Sequence, residues 1–340
     1  LNVLITGAGG FLGRSVVLEF VRRGHSVRAM VRPSAETGRL AWPDEVEIYR
    51  ADLLSTEDLV PSFEGIDALV HLAAGVRGTA EEQYAATVVG TQRLLDAMAK
   101  SRTTRLVLAS SIAVYDWSKI EGELDERSPL EPSSDLPERD GYAVAKAEQE
   151  QVARRMAEQH HWALTVLRPG FIWGRGNEEC AGLGQKVGPV LLVFGPSTRL
   201  PLTHVDNCAH AFAEVLENPS AIGETFNIVD DEGPTIREHL QATGRKRLTV
   251  PIPFGPAFAG VRLVHGLLNG LLRGKKKLPG LLVPCRFEAR FKPLRFSNRK
   301  LREVLGWNPP LDPAERIQRT FGPPTDRPAD LVPSPLAREG

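Results

Sequence analysis

Apolar and polar residues are laid out in blocks along the first half of the chain. Short apolar runs at 2–6, 26–31, 46–49, 68–73, 105–109 and 163–167 have the length and the Val, Ile and Leu content of buried strands. Between them lie segments with apolar residues three and four apart, among them 11–23, 80–100 and 143–159, each long enough for a crossover helix. Strands that are apolar throughout, separated by helices, predict an α/β fold: a doubly wound parallel sheet of Rossmann type, covered on both faces.

Past Arg168-Pro169-Gly170 the alternation weakens and Gly and Pro become frequent. Strand-like pieces remain at 202–205 and 225–229, and helical patterns at 206–216 and 297–305. The expected organisation is a dinucleotide-binding domain over 1–169, rejoined by 206–229, with a smaller C-terminal substrate-binding cap from 170–205 and 230–321. Residues 322–340 carry five prolines and little apolar pattern, which predicts a disordered tail. There is no internal repeat.

Lys plus Arg and Asp plus Glu are both 42, so no global field draws the 340-residue chain toward nucleic acid. Its partner is expected to be a small molecule. Cys180, Cys208 and Cys285 are odd in number and far apart, fitting neither a disulfide framework nor a zinc cluster, and His160-His161 lacks an i+4 partner for a metal. These features, with no basic segment leading into an apolar run at Leu1, point to a cytoplasmic protein. Residues 254–272 are rich in Leu, Val, Ala and Gly and precede Lys275-Lys276-Lys277. Arg262 and His265 interrupt this run, leaving pieces shorter than the roughly 20 residues a spanning helix needs. It could lie on a membrane surface, but such a helix is more often a substrate-side lid or a core element.

Gly7, Gly10 and Gly13 follow the first strand and precede a helical pattern that starts at Phe11-Leu12, the context of a dinucleotide-binding loop. The second strand ends at Val31-Arg32, where an NAD enzyme usually places an acid for the ribose 2′-hydroxyl. A base there, with Arg28 near it, suits a 2′-phosphate and so favours NADP over NAD, although arginines at strand ends are common. Asp52 and Leu53, after the third strand, could bound the adenine; Asp52 equally suits a turn cap.

Tyr142 and Lys146 stand one helical turn apart on one face. An ammonium beside a phenol favours phenolate and is expected to lower the tyrosine's pKa. The strand 105–109 ends in Ser110-Ser111, hydroxyls at the edge where such sheets bind ligands. A serine there can polarise a substrate oxygen while tyrosine moves its proton.

The chain resembles an extended short-chain dehydrogenase/reductase of the NAD(P)-dependent epimerase/dehydratase family. The resemblance rests on the loop from Thr6 to Gly13, Asp52-Leu53, His71-Leu72-Ala73-Ala74, Ala109-Ser110-Ser111, Tyr142 to Lys146, Leu167-Arg168-Pro169, His204 to Asn207, Phe226-Asn227 and Leu305-Gly306-Trp307. It implies that Ser111 orients the reacting oxygen, Tyr142 is the proton donor or acceptor, Lys146 also binds the nicotinamide ribose, and Ala73 and Ala74 line the cofactor. It further implies a homodimer paired through the helices at 80–100 and 141–159.

Departures from that pattern narrow the reaction. Ile112-Ala113 stand where the sugar-nucleotide dehydratases carry an Asp-Glu pair, which argues against dehydration. Phe171 stands where nucleotide-sugar enzymes usually carry an asparagine. With Ile172, Trp173 and 254–272 it suggests a less polar pocket, though core packing explains the same residues. Thr87 replaces a supporting asparagine. The branches most similar in pattern are the dihydroflavonol reductases and 3β-hydroxysteroid dehydrogenases. The expected activity is hydride transfer between nicotinamide and a carbonyl or secondary alcohol of a small, moderately apolar substrate. The alternatives are a nucleotide-sugar epimerase with tightly held NAD, and a non-catalytic NAD(P)-binding sensor.

Overall fold

The computed structural model describes residues 1–131, 140–179, 181–231, 233–244, 248–272 and 278–323. In chain order its elements begin with β1 (Asn2–Thr6), α1 (Phe11–Arg22), β2 (Ser26–Val31), β3 (Glu47–Arg50) and β4 (Ala68–His71). Then come α2 (Ala80–Tyr84), a π-helical segment (Ala85–Val89), α3 (Gly90–Met98), β5 (Arg105–Ala109), β6 (Glu123–Leu124), α4 (Gly141–His160) and β7 (Ala163–Pro169). The remainder comprises β8 (Phe171–Trp173), β9 (Gln185–Val187), β10 (Val190–Phe194), β11 (Leu202–His204), α5 (Val205–Glu217), β12 (Thr225–Ile228), α6 (Ile236–Ala242) and β13 (Leu248–Ile252). The last described elements are α7 (Phe254–Leu272), α8 (Pro284–Phe291), β14 (Arg295–Phe296), α9 (Arg299–Leu305) and α10 (Pro313–Phe321).

Seven strands form one parallel sheet in the order β12-β7-β5-β4-β1-β2-β3. Alternate residues of each strand enter different cores. Val3 and Ile5 pack with α1 and α5, whereas Leu4 packs on the opposite face with α3 and α4. Both faces are apolar, so the strands read as continuous runs. The chain leaves β1 toward β2 and β3, then crosses back to β4, which opens a crevice at the C-terminal ends of β1 and β4. Three smaller sheets, β13-β10-β9, β11-β8 and β14-β6, accompany it.

Three expectations change. The helix expected over 80–100 is divided by the π-helical segment, which carries the buried Thr87. The helix expected from Asp206 begins a residue earlier, and His204 is its N-cap, its Nδ1 accepting the Asp206 N–H at 3.2 Å. The helix at 254–272 forms, but it is not a core element: none of its described side chains is fully buried. Lys275-Lys276-Lys277 and most of the expected tail, 324–340, lie outside the described residues.

Candidate active site

Gly7 leaves β1 with φ of +69°, a conformation glycine adopts without strain, and a Cβ there would meet Ala73 N at 2.8 Å. The loop therefore lies directly on the chain leaving β4, and Ala73 and Ala74 follow at the same crevice. At Gly13 a Cβ would sit 2.2 Å from the Gly7 carbonyl oxygen, so only glycine lets α1 pack this tightly on the loop. The N-cap of α1 is Gly10, which has no side chain to occupy first-turn N–H groups, and no carboxylate lies in the turn that starts at Phe11-Leu12. This cradle fits a pyrophosphate.

Arg32 stands exposed just past β2. Arg28 does not join it: its guanidinium donates to the Ser62 and Glu64 carbonyls at 3.0 and 2.9 Å and pairs with Glu47, tying it into the sheet. Arg50, which sequence reasoning passed over, moulds the loop after Arg32 by donating to the carbonyls of Pro33 and Ala35 and to Thr37 Oγ1. The Asp52 carboxylate caps its own turn, accepting the Leu54 N–H at 2.9 Å, and Leu53 packs against Gly90 at the start of α3.

At the C-terminal end of β5 the two serines diverge. Ser110 is buried and donates to Glu150 Oε2 at 2.8 Å, so it belongs to the scaffold. Ser111 stays partly exposed, caps the next turn through Ala113 N–H, and lies near enough to the Tyr142 phenol to favour its ionised form. Asp140 caps α4 at the Tyr142 N–H, fixing the helix start that presents the phenol. The structure thus brings Ser111 and Tyr142 together, with Lys146 one turn further along α4.

The direction of the tyrosine shift is a correction. Burial holds the Tyr142 phenol above its usual value, the nearby Ser111 hydroxyl draws it back and Asp140 adds to the rise. Lys146 does not lower it because the ammonium is directed elsewhere, donating to the Ala109 carbonyl at 2.7 Å and Gln149 Oε1 at 2.8 Å. Burial also pushes Lys146 down to about 7, opposed by the Glu150 carboxylate.

Behind this pair runs a buried chain of hydrogen bonds. Thr91 donates to the Thr87 carbonyl, so its Oγ1 accepts from His71 Nε2 at 2.7 Å and from the Gln149 amide at 2.8 Å. His71 Nδ1 is then left to accept from Thr6 Oγ1 at 2.6 Å. Thr87, in place of the expected asparagine, accepts the Gly75 N–H at 2.9 Å and holds the loop after β4. Burial, followed by the nearby Lys146 charge, pushes His71 down to about 3. A histidine neutral when folded takes up a proton more readily when unfolded, so its share of stability is full above about 6.5 and declines as pH falls toward 3. Wild-type protein is therefore expected to lose on the order of a few kcal/mol between neutrality and pH ~4 that His71→Asn does not lose. Urea midpoints of both proteins at the two pH values measure this; equal declines would contradict it.

A second buried network continues the same helix face. Glu150, one turn beyond Lys146, accepts from Arg168 at 2.5 and 3.1 Å. Burial would raise its carboxyl, but the Arg168 hydrogen bonds and charge, joined by Arg154, hold it below the usual range. Arg168 also donates to the Tyr115 hydroxyl, which donates to Asn227 Oδ1 at 2.7 Å, linking α4, β7 and β12. The sequence signal was present in the stripe Tyr142, Lys146, Glu150 at successive fourth positions.

Trp173 is buried in a separate cluster with Leu183, Leu191, Val193 and Leu202, against which Phe171 is partly buried. Arg175 and Arg199 are tied to backbone carbonyls, at Gly322 and Gly233 respectively.

A glycine cradle stands at the switch point of a Rossmann-type sheet, and Ser111, Tyr142 and Lys146 lie toward the same edge. The chain belongs to the NAD dependent epimerase/dehydratase family, whose model matches residues 3–229. It is 28% identical over 335 residues to the 2-alkyl-3-oxoalkanoate reductase of Stenotrophomonas maltophilia (strain K279a), covering 94% of this chain and 98% of that protein. It is 28% identical over 334 residues to a 3 beta-hydroxysteroid dehydrogenase/Delta 5-->4-isomerase of Mycobacterium tuberculosis (strain ATCC 25618 / H37Rv), covering 91% and 86%. Among solved structures, the UDP-glucuronic acid 4-epimerase from Bacillus cereus, in complex with UDP-glucuronic acid and NAD, shares the fold. Its TM-score is 0.69 at 21% identity over 94% of this chain and 98% of that one.

Proposed function

We propose that this enzyme interconverts a carbonyl and a secondary alcohol on a small, moderately apolar molecule, with NADP preferred as cofactor. The observation that carries the reading is the juxtaposition of Ser111, at the end of β5, and Tyr142, at the start of α4, with Lys146 buried one turn along. When bound, nicotinamide supplies or accepts the hydride. Ser111 would hold the substrate oxygen. Because burial keeps the Tyr142 phenol neutral, it would donate its proton to that oxygen as the carbonyl carbon gains hydride, and take it back in the reverse direction. Lys146, close to half protonated at neutral pH, would replenish that proton and reach the nicotinamide ribose. Names of relatives add support: one is called a reductase and another a dehydrogenase/isomerase.

Arg32, exposed beside a loop held by Arg50, would select the 2′-phosphate. We also infer a cytoplasmic enzyme and a homodimer paired through the helices at 80–100 and 141–159, the first of which exposes Tyr84 and Val89.

The test is oxidation of NADPH and of NADH, followed by absorbance, across apolar ketones, aldehydes and nucleotide sugars. Net oxidation with apolar ketones, faster with NADPH, is expected, and Arg32→Glu should shift the cofactor preference by about tenfold toward NADH. Epimerised nucleotide sugar without net oxidation would replace this reading with the epimerase.

A further inference from the structure

The helix α7 is apolar on both its covered and its open side. Its partly covered positions recur at 254, 258, 261, 265 and 269, where Phe254 and Phe258 stack on Phe287 with ring centroids 5.9 and 6.2 Å apart. The same covered side holds the helix's polar pair, His265 bonding to the Leu282 carbonyl at 3.3 Å and to Asn269 at 2.9 Å. The opposite side presents Leu263, Leu267 and Leu271, 65%, 65% and 79% exposed and one turn apart, with Arg262 as its charge. An aliphatic stripe thus stays open on the side away from Phe287, an arrangement water does not favour.

The charge that flanks this stripe along the sequence points to what covers it. From residue 239 to 287 the sequence contains nine Lys and Arg and no Asp or Glu, in a chain whose acids and bases balance overall. We propose that α7 docks on an anionic lipid surface, lying in the interface with Leu263, Leu267 and Leu271 among the acyl chains and Arg262 at the headgroups. Two-fold pairing with a second copy would instead set two segments of like charge against one another. No helix among the described residues is long and apolar enough to cross a membrane, so the contact is one of lying on, not spanning. The inference is independent of the catalytic reading.

Co-sedimentation of the full chain with sucrose-loaded vesicles tests it. Binding to phosphatidylcholine vesicles containing phosphatidylglycerol should be at least tenfold tighter than to phosphatidylcholine alone, and should weaken as salt rises. Leu263→Ser, Leu267→Ser and Leu271→Ser combined should cut binding at least tenfold with an unchanged thermal midpoint, since these side chains are exposed. A fluorophore on Leu267→Cys should shift to the blue on anionic vesicles. No binding to anionic vesicles, equal binding by the triple variant, or a dimer that the triple variant splits without any vesicle binding would each overturn the proposal.

Discussion

Tyr142→Phe is expected to lower kcat/KM by about a hundred- to ten-thousand-fold while dinucleotide affinity stays within about twofold of wild type. The substitution removes one hydroxyl, the group that lies near Ser111, and leaves the ring that packs at the start of α4. The glycine cradle lies on other elements, at β1 and α1, and the phenol plays no part in its shape. Loss should fall on the proton-transfer step and thus on kcat, and it should persist at every pH because phenylalanine has no proton to give. Ser111→Ala should lose less, as it removes a partner that orients the oxygen and leaves the donor in place. Steady-state kinetics with NADPH titrated by fluorescence separate the two quantities. A Tyr142→Phe enzyme with full activity would remove tyrosine from the mechanism.

Glu150→Ala should cost about 3–5 kcal/mol of stability, the cost of leaving a buried arginine without its carboxylate. Arg168 is 3% exposed, and its bidentate partner is the Glu150 carboxylate, which also takes the Ser110 hydrogen bond. Glu150→Gln keeps an acceptor for the guanidinium and should cost less than half as much. The pH dependence follows from the depressed carboxyl: its contribution is full above about 4.3, the unfolded value, and is lost as pH falls through the lower folded one. Urea unfolding across that range should be steeper in wild type than in Glu150→Gln. Near-equal stability of the wild type and Glu150→Ala would mean that Tyr115 and solvent suffice for Arg168.

The sheet was legible because its strands are buried on both faces. Runs such as 2–6 and 105–109 carry polar residues only at their ends, and their bounds match β1 and β5. The third strand was displaced by one residue because Arg50, polar at its head, still pairs with Val31. The family was legible in ordered motifs. What could not be read was electrostatic and tertiary. The i, i+4 spacing of Tyr142 and Lys146 showed which groups share a face, but the sign of the phenol's shift depends on burial and on Ala109 and Gln149 capturing the ammonium. The His71–Thr91 bond joins residues 20 apart, and the Gln149–Thr91 bond residues 58 apart, so no local pattern reports them. Trp173 reads alike as pocket wall or core, and only packing decides.

The position of β12 has a consequence for biosynthesis. The sheet's outermost strand at one edge is made of residues 225–228 of 340, and it closes on β7, whose own partner β5 is more than fifty residues earlier. The pairings of β1 with β4, β5 with β7 and β7 with β12 join segments far apart in sequence, and such topologies form slowly. A nascent chain emerging from the ribosome would therefore show the apolar edge of β7 to its surroundings until the segment carrying β12 is released. Chaperone demand should peak in that interval of translation rather than at the end of the chain.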